Sequence, residues 1–457
     1  MRISWFCRLT CFFIGLLLCG QLLIQAQELD PDETLLQIRK QVAAAISRLP
    51  NYLCTETVER QTFFIADALS GRAAGACNQM AADIDKSPKD LKLVATDRLR
   101  LDVALSRQSE MYSWVGEGRF DDRNLSEIVK HGTTSTGAFG SFLHAIFVSH
   151  GAIFTFKGRS NENGRSVLQY DFAVPLEASG YTVSNETSSE RTGYTGSFTA
   201  DAKTLDLLEL AFRTDPLPPE LKICRSSSTL RYTRIQMKGV EVLLPSEVLV
   251  RMLGTDGHES RNRTVFTGCH QFMGESKLIF DEPPAEIGSG ETAKALNVKL
   301  GDGLKMSIAL AQPIDPQSAA AGDPVKGVLA KAAKDSASGL TIPKGTKVNG
   351  RIVGLLSYDQ QGASNLELGL KWESLEIGGI GHQMKLAVRA AIGGSSHLAL
   401  IHSHFPDIPA MNRPEQPGVG FFLFHGVPKD YAIPAGFEAE WVTVAASAKA
   451  DSTQGEP

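Results

Sequence analysis

The sequence predicts an α+β, mainly β fold: an N-terminal curled antiparallel sheet with a helix packed in it, followed by a small β-barrel or sandwich domain. Three observations predict this fold class. One amphipathic helical segment precedes long runs in which apolar and polar residues alternate, which is the period of a half-buried strand. The chain is longer than a single core usually supports. Gly and Pro corners recur at short spacing after residue 296, as they do in small barrels and sandwiches.

The first 26 residues are typical of an export signal peptide. Arg2 and Arg8 lie around a short basic start, the apolar run LTCFFIGLLLCGQLLI follows, and Ala26 provides a small residue for cleavage. A retained membrane anchor is the alternative, since the run approaches the roughly 20 residues that span a bilayer. Cleavage would place the protein in the periplasm or outside the cell, with no integral membrane span.

The net charge argues against two classes of partner. The whole chain carries a formal charge of −5, and loss of Arg2 and Arg8 with the signal would make it −7. Nucleic acids and anionic membrane surfaces attract clusters of Lys and Arg, and the sequence contains no such cluster. We therefore expect no nucleic-acid partner.

Four cysteines remain after the signal peptide, namely Cys54, Cys77, Cys224 and Cys269. An even number in an oxidising compartment predicts two disulfides. Three connectivities are possible, and we favour the two local pairs, the first cysteine with the second and the third with the fourth. Four free buried thiols are the alternative. No CxxC spacing occurs, so we expect no zinc knuckle, and we predict neither a metal site nor a cofactor.

Composition divides the chain into five segments. We predict a signal peptide at 1–26, a first domain at 28–281, a linker at 282–295, a second domain at 296–446 and a disordered tail at 447–457. The linker is rich in Pro and Gly and poor in large apolar residues, and the tail is small and polar.

Capping and spacing predict the N-terminal helix. Asp30 can cap it, Pro31 suits its first turn, and Pro50 ends it; apolar residues keep helical spacing at Leu35, Ile38, Val42, Ile46 and Leu49. Strands follow, with hairpin turns at Asn163-Gly164 and around Asp201 to Thr204. Residues 121–150 break the strand pattern, and we predict a helical insert that carries the flexible loop HGTTSTGAFG.

The segment GLTIPKGTKVNGRIVG in the second domain raises the question whether Lys344 and Gly345 form a phosphate-binding loop. Such a loop opens a helix, whereas the residues that follow alternate as a strand. Pro343 and Gly345 suit the second and fourth positions of a type I turn. The corner returns at 432–444 with Ala435 in place of the lysine. We therefore predict a turn without chemistry. In the nearby LELGLKW, one face of a strand would carry Leu366, Leu368, Leu370 and Trp372.

Two further groupings are weak candidates for chemistry. His402 and His404 could share a metal with His397 and Asp407, but they lie in a Pro-rich loop.

His258 beside Glu259 suggests a general base, but the preceding Asp256-Gly257 predicts a solvated hairpin tip. The adjacent Asp121-Asp122 suits a helix start. No GxSxG or SxxK motif occurs. No catalytic residue is predicted.

Aromatic residues cluster in the sequence around the predicted insert, at Phe63, Phe64, Trp114, Phe142, Phe147 and Phe154. In one interpretation they only fill a core. In the other, some of them line a cavity for an acyl chain or a peptide in a sheet that does not close, with HGTTSTGAFG as a lid. Individual ligand-binding residues are not predicted.

The first domain, over residues 30–281, resembles the lipoprotein-carrier half-barrel of the LolA and LolB type. The similar features are the N-terminal helix, the first strand after RLPNY and the hairpin GSFTADAKTLDLLEL. The resemblance implies a bacterial periplasmic protein with an apolar concavity. The second domain resembles the C-terminal β-barrel of TrbI-like conjugation scaffolds through GLKMSIALAQPID, AAAGDPVKGVLA, LTIPKGTKVNGRIVG and YAIPAGFEAEW, which implies a barrel fold.

These expectations favour a non-enzymatic protein of the cell envelope. It would bind a lipid or other apolar ligand, or an envelope protein partner, through the first domain, with the second domain as a docking barrel. A secreted hydrolase without a recognisable motif and a purely structural envelope protein are the alternatives.

Overall fold

The computed structural model describes residues 30–49, 51–65, 77–86, 91–106, 109–117, 120, 124–129, 132–185, 187–237, 239–271, 300–336, 338–360, 362–392, 398–400 and 418–444. The predicted signal peptide, linker and C-terminal tail lie outside these ranges. We call residues 30–271 the N-terminal part and residues 300–444 the C-terminal part. The division into two domains stays a prediction.

The N-terminal part consists of strands with a few helical segments. In chain order these are α1 (Pro31–Ser47), β1 (Tyr52–Ile65), α2 (Cys77–Lys86), β2 (Leu91–Ser106), β3 (Ser109–Trp114), α3 (Leu125–Ile128), α4 (Ser141–Leu143), a π-helical turn (His144–Val148), β4 (Ile153–Glu162), β5 (Arg165–Val174), β6 (Thr182–Ser184), β7 (Ser189–Arg191), β8 (Tyr194–Asp201), β9 (Leu207–Thr214), β10 (Ile223–Met237), β11 (Val240–Gly254) and β12 (His258–Gln271). Short 3-10 turns occur at Leu176–Ala178 and Pro219–Leu221.

The long strands of this part form one antiparallel sheet. Their spatial order is β3-β2-β1-β12-β11-β10-β9-β8-β5-β4. Strand β1, the first of this part along the chain, therefore pairs with β12, the last. Helix α1 buries Ile38, Val42 and Ile46 against the sheet. The predicted mainly β fold, an antiparallel sheet with a helix packed on it, is confirmed.

Local signals act as the sequence indicates. The Asp30 side chain accepts a hydrogen bond from the N–H of Asp32 at 3.0 Å, and α1 starts at Pro31. The helix ends at Ser47, shortly before the predicted stop at Pro50. In the hairpin between β4 and β5, Asn163 and Gly164 have φ values of 51° and 80°, as a type I′ turn requires.

The favoured disulfide pairing is wrong. The structure joins Cys54 to Cys269, with Cα atoms 4.1 Å apart, and Cys77 to Cys224, with Cα atoms 5.0 Å apart. Cys54 and Cys269 lie on the neighbouring strands β1 and β12, which are far apart in sequence. Cys77 begins α2, a helix that the sequence analysis missed and that contacts β10, where Cys224 lies. Non-local strand order therefore decides the pairing.

The C-terminal part contains strands β13 (Lys305–Leu310), β14 (Pro324–Leu329), β15 (Ala333–Lys334), β16 (Thr341–Ile342), β17 (Lys347–Gln360), β18 (Ala363–Ile377), β19 (Ile380–Gln383), β20 (Leu386–Ile392), β21 (Leu398–Leu400), β22 (Val419–His425) and β23 (Glu438–Thr443). The main pairings follow the order β20-β23-β13-β14-β17-β18-β22. The two ends, β20 and β22, contact each other.

One apolar cluster fills this curled sheet. It contains Trp372, Phe422 and Trp441, each at most 2% exposed. All four residues of the predicted inward face, Leu366, Leu368, Leu370 and Trp372, are buried. A side chain on Gly420 of β22 would lie 2.6 Å from the Trp441 ring and 3.1 Å from Val388 of β20. Glycine therefore allows the two ends of the sheet to approach each other.

The two parts contact each other through strand β2. Residues 95–97 of β2 pair antiparallel with residues 356–358 of β17, and residues 101–106 pair with β3. A small buried cluster of Ala95, Leu356, Tyr358 and Leu423 lies at this contact.

A loop of the C-terminal part adds hydrogen bonds to the same strand. The N–H of Arg100 donates to the Ala321 carbonyl at 2.8 Å, and the N–H of Ala321 donates to the Arg98 carbonyl at 2.8 Å. The Arg100 guanidinium also bonds the Asp323 carboxylate at 2.6 Å. Gly322 has φ of 107°, and a Cβ there would overlap the Arg100 carbonyl oxygen. Only glycine fits this close approach.

Candidate functional site

Strand alternation places one set of side chains on the inner face of the N-terminal sheet, the face that packs against α1. On β1 this set is Tyr52, Cys54, Glu56, Val58 and Arg60, all buried. Cross-strand pairing continues the face through Val103 and Tyr112 on one side and Phe266 on the other. The inner face therefore combines apolar residues with a few polar ones.

The inner face of β5, β8 and β9 is aromatic. Phe198 stacks on Tyr170 with ring centroids 5.1 Å apart and meets Phe147 edge to face at 5.0 Å. Phe212 lies 4.9 Å from Phe142 and 5.2 Å from Tyr194. Burial raises the pKa of the Tyr194 hydroxyl to about 12. Such a surface is suited to apolar groups.

A short helical segment covers this aromatic face. We call residues 132–148 the cover segment; it contains α4 and the π-helical turn, and it buries Phe142, Leu143, Ile146 and Phe147. Arg39 of α1 donates to the Phe147 carbonyl at 2.9 Å. Helices this short have little stability of their own, so packing and side-chain contacts hold the cover segment in place.

Two side chains of the sheet bind the first half of the cover segment. Glu110 of β3 accepts hydrogen bonds from the N–H of Gly137 at 2.7 Å and from the N–H of Phe139 at 3.0 Å. The Asn262 amide on β12 donates to the Thr133 carbonyl at 2.7 Å. The Gly/Thr/Ser-rich loop expected to be flexible is thus hydrogen-bonded to the sheet over its described residues.

A group of acidic and phenolic side chains lies under this loop. We call it the acid cluster: Tyr52, Glu56, Glu110, Tyr112 and Tyr232. The Tyr112 hydroxyl donates to Glu110 at 2.7 Å. Burial, and secondly the charge of Glu110, raises the pKa of the Glu56 carboxyl to about 8. The same two causes raise the pKa of the Tyr52, Tyr112 and Tyr232 hydroxyls.

The six aromatic residues picked out from the sequence separate into two groups. Phe142 and Phe147 are buried between the cover segment and the sheet, and Phe154 packs beside them. Phe63 and Phe64 lie elsewhere, under the Arg261 guanidinium and beside the His258 ring. Trp114 is partly buried against the cluster around Tyr52. Sequence proximity therefore identified the covered face only in part.

The corner at Lys344 is a turn without a ligand-binding feature. The Thr346 N–H donates to the Pro343 carbonyl at 3.3 Å, and Gly345 has φ of 83° at the third position. A positive φ there fits a type II turn, so the predicted type I geometry is wrong. Lys344 and Ala435, at equivalent positions of the two corners, are both exposed.

His258 and Glu259 do not act as one site. The His258 ring nitrogen Nδ1 lies 3.1 Å from Asp256, and hydrogen bonding to the histidine lowers the pKa of that aspartate. Glu259 is 1% exposed and bonds Arg251 and Arg261, both at 2.8 Å. The histidine lies at a hairpin tip, but it is only partly exposed.

The remaining sequence candidates, His397, His402, His404, Asp407, Asp121 and Asp122, lie outside the described residues. Within the described ranges, no group of three His, Cys, Asp or Glu residues could hold a metal ion. Over the same ranges, no helix is long and apolar enough to cross a membrane.

The two carboxyl groups of the acid cluster were not among the residues singled out from the sequence. Glu56 and Glu110 each occupy an inward position of an alternating strand. In NYLCTETVER, Tyr52, Cys54 and Val58 occupy alternate positions that face inward, and Glu56 falls in the same series. A charged residue at an inward position of a strand was the signal that could have identified it.

A second concave region lies between the two parts. This groove of about 430 Å³ is lined by apolar, polar and charged residues of both parts. Arg98 pairs with Glu59 at 3.0 Å, and Lys429 pairs with Asp359 at 3.1 Å. Since these charges satisfy each other, the groove offers no unpaired charge from these residues.

No family model matches the chain, and no curated protein matches it. Similar solved structures include a protein domain from Vibrio parahaemolyticus described as a candidate outer membrane lipoprotein-sorting protein, with 11% identity, a TM-score of 0.25, and coverage of 53% of this chain and 94% of that chain. A DUF1329 family protein from Desulfovibrio piger has 9% identity, a TM-score of 0.26, and coverage of 55% and 98%. A LolA superfamily protein from Nitrosomonas europaea has 8% identity, a TM-score of 0.22, and coverage of 53% and 93%.

A LolA superfamily protein is thus among the solved structures to which this chain is similar. The fold described above rests on strand pairing and burial alone.

Proposed function

We propose that the protein is an exported, non-enzymatic component of the cell envelope that binds an apolar ligand on the inner face of its N-terminal sheet. The C-terminal part would serve as a docking barrel. The single observation that carries the proposal is the cover segment, a few irregular helical turns that lie over an aromatic face.

Displacement of the cover segment would expose a ready apolar surface. Phe142 and Phe147 occupy positions that an acyl chain would take, against Phe198 and Phe212. The hydrogen bonds to the first half of the segment come from the side chains of Glu110 and Asn262, so they can break without disrupting strand pairing. Opening would require breaking these bonds and separating the packed rings, and a bound chain would replace that packing.

Two disulfides support export, since disulfides persist in oxidising compartments. The periplasm is the proposed location. The class of ligand that fits the aromatic face is a lipid or another molecule with a long apolar chain.

Native mass spectrometry of the protein purified from its own envelope tests the proposal directly. We expect a non-covalent adduct of lipid size. Absence of the adduct, together with turnover in an esterase or peptidase panel, would favour a hydrolase. Absence of both would favour a purely structural protein.

A pair of matched core variants tests where the ligand binds. Phe147→Ala removes a ring between the cover segment and the sheet, and Phe422→Ala removes an equally buried ring from the C-terminal core. We expect Phe147→Ala to increase binding of the uncharged fluorescent probe N-phenyl-1-naphthylamine several-fold, and Phe422→Ala to leave it unchanged. Each substitution should cost about 3–5 kcal/mol of stability, so folding is checked by circular dichroism. Equal probe binding by the two variants would contradict the assigned location.

A further inference from the structure

The acid cluster contains hydroxyl groups that lack partners. Tyr52 is 0% exposed and Tyr232 is 6% exposed. Neither hydroxyl has a hydrogen-bond partner among the described residues. A buried polar group without a hydrogen bond lowers stability by about 1–3 kcal/mol, so buried polar groups generally have a hydrogen-bond partner in the protein, a water or a ligand.

Strand register places Tyr52 on the same face as both carboxyl groups: Tyr52 pairs with Leu105, which pairs with Glu110, and Glu56 lies four residues along β1 from Tyr52. The charge of Glu110 raises the pKa of both tyrosines and of Glu56, so each of these three groups lies within electrostatic reach of Glu110. Glu56 is 5% exposed, and burial and the charge of Glu110 act on its carboxyl group, with no hydrogen bond or ion pair to a described residue. Glu110, in contrast, already accepts three hydrogen bonds.

Within the part of the chain that the structure describes, no basic side chain balances the local charge. Arg60, the basic residue on the inner face of β1, is ion-paired with Asp97. Among the described residues, no Lys or Arg lies within ion-pair distance of Glu56 or Glu110. A negative ligand group would be repelled here, whereas a positive group would gain interactions with both carboxyl groups.

The acid cluster is continuous with the aromatic face. Tyr232 belongs to the same buried apolar cluster as Phe147, Phe198 and Phe212. Tyr52 contacts Phe139 of the cover segment, with ring centroids 5.3 Å apart. One molecule could therefore reach both regions if it carried a polar group at the end of an apolar chain.

We propose that the acid cluster is a subsite for the protonated amine of an amphiphile whose apolar chain lies on the aromatic face. This inference rests on the proposed function. The ammonium group would donate hydrogen bonds to the Tyr52 and Tyr232 hydroxyl oxygens and to Glu56, whose carboxyl group would release its proton to solvent as the cation binds. Charge-assisted bonds of this kind are stronger than neutral ones.

Three probes with the same chain length test the inference: dodecylamine, dodecanol and dodecanoate. Their binding to the full-length protein is measured by displacement of N-phenyl-1-naphthylamine below their critical micelle concentrations. We expect dodecylamine to bind at least ten-fold more tightly than dodecanol, and dodecanoate to bind most weakly. Glu56→Gln and Tyr52→Phe/Tyr232→Phe should each reduce the preference for the amine about ten-fold and leave dodecanol binding within two-fold.

Glu367→Gln is the matched control, because Glu367 is a carboxyl residue buried in the C-terminal part at 2% exposure. It should leave the preference for the amine unchanged. Equal binding of the amine and the alcohol would overturn the amine subsite and leave the proposed function standing. A preference for the amine that survives Glu56→Gln would also overturn the amine subsite. General electrostatic attraction between the amine and an acidic protein would then be enough to explain the preference. Failure of all three probes to bind would overturn the proposed function itself.

Discussion

Glu56 lies within the N-terminal sheet with 5% of its surface exposed, at a position where the alternation of β1 calls for an apolar residue. Burial raises the pKa of its carboxyl to about 8, with a smaller contribution from the charge of Glu110. The folded protein therefore favours the neutral acid, whereas the unfolded chain releases the proton at lower pH. Stability is fully present below the unfolded pKa and falls as the pH rises towards 8.

Substitution Glu56→Gln should remove this pH dependence. Between pH 4.5 and pH 7, the free energy of unfolding of the variant should rise by about 3 kcal/mol relative to the wild type, since each pKa unit corresponds to about 1.4 kcal/mol. Urea unfolding at pH 4.5, 6, 7 and 8 measures the difference. Glu162→Gln, at an exposed position in the hairpin of β4 and β5, is the control. Its free energy of unfolding relative to the wild type should not change with pH. If the difference in free energy of unfolding between Glu56→Gln and the wild type did not change with pH, the raised pKa of Glu56 would be contradicted.

Strand β2 is the element that joins the two parts of the molecule. It pairs with β1 along one edge, and its other edge is shared between β3 and β17. The period of DRLRLDVAL predicts a strand with an inward apolar face, but the sequence contains no signal for a partner from beyond residue 300. That partner depends on the loop around Gly322, whose backbone approaches Arg100 closely.

Gly322→Ala should loosen this contact and destabilise the protein by about 3 kcal/mol, through overlap with the Arg100 carbonyl and the positive φ of 107°. Gly303→Ala is the matched control, because Gly303 has φ of 77° and open space around it. The control should lose only about 1 kcal/mol. Urea unfolding monitored by fluorescence measures both. Equal losses in the two variants would mean that the β2 contact does not contribute to stability.

At the scale of the whole molecule, two disulfides join segments that are distant in sequence. The pairs are separated by 215 and 147 residues, and both close large loops of the unfolded chain. Both lie within the N-terminal part, where they link β1 to β12 and α2 to β10. They therefore stabilise the sheet whose inner face carries the proposed ligand site.

The pairing predicts different thiol counts in two double variants. Cys54→Ser/Cys269→Ser should expose no free thiol on alkylation of the denatured, unreduced protein, and it should lose about 3 kcal/mol of stability. Cys54→Ser/Cys77→Ser should expose two, because it removes one partner from each disulfide. Peptide mapping of the wild type without reduction should recover the two linked pairs. No free thiol in the second variant would instead support the local pairing.

Local chemistry in the amino-acid sequence was enough to specify several elements. The helix at Pro31, the Asn163-Gly164 turn and the inward face of Leu366 to Trp372 follow from capping, backbone preference and hydrophobic period, all of which act over a few residues. The mainly β fold class follows from the same periods.

Contacts between residues distant in sequence depend on the three-dimensional fold. The pairing of β1 with β12 brought Cys54 to Cys269, and the contact of β2 with β17 joined the two parts. The order β1-β2-β3 placed Glu56 and Glu110 on one face of the sheet, and the hydrogen bonds of Glu110 hold residues 137–139 over that face. Alternation specifies the face on which a side chain lies, but it does not specify the neighbouring strand. The candidate site therefore required three-dimensional information, because its members come from strands brought together only by the sheet.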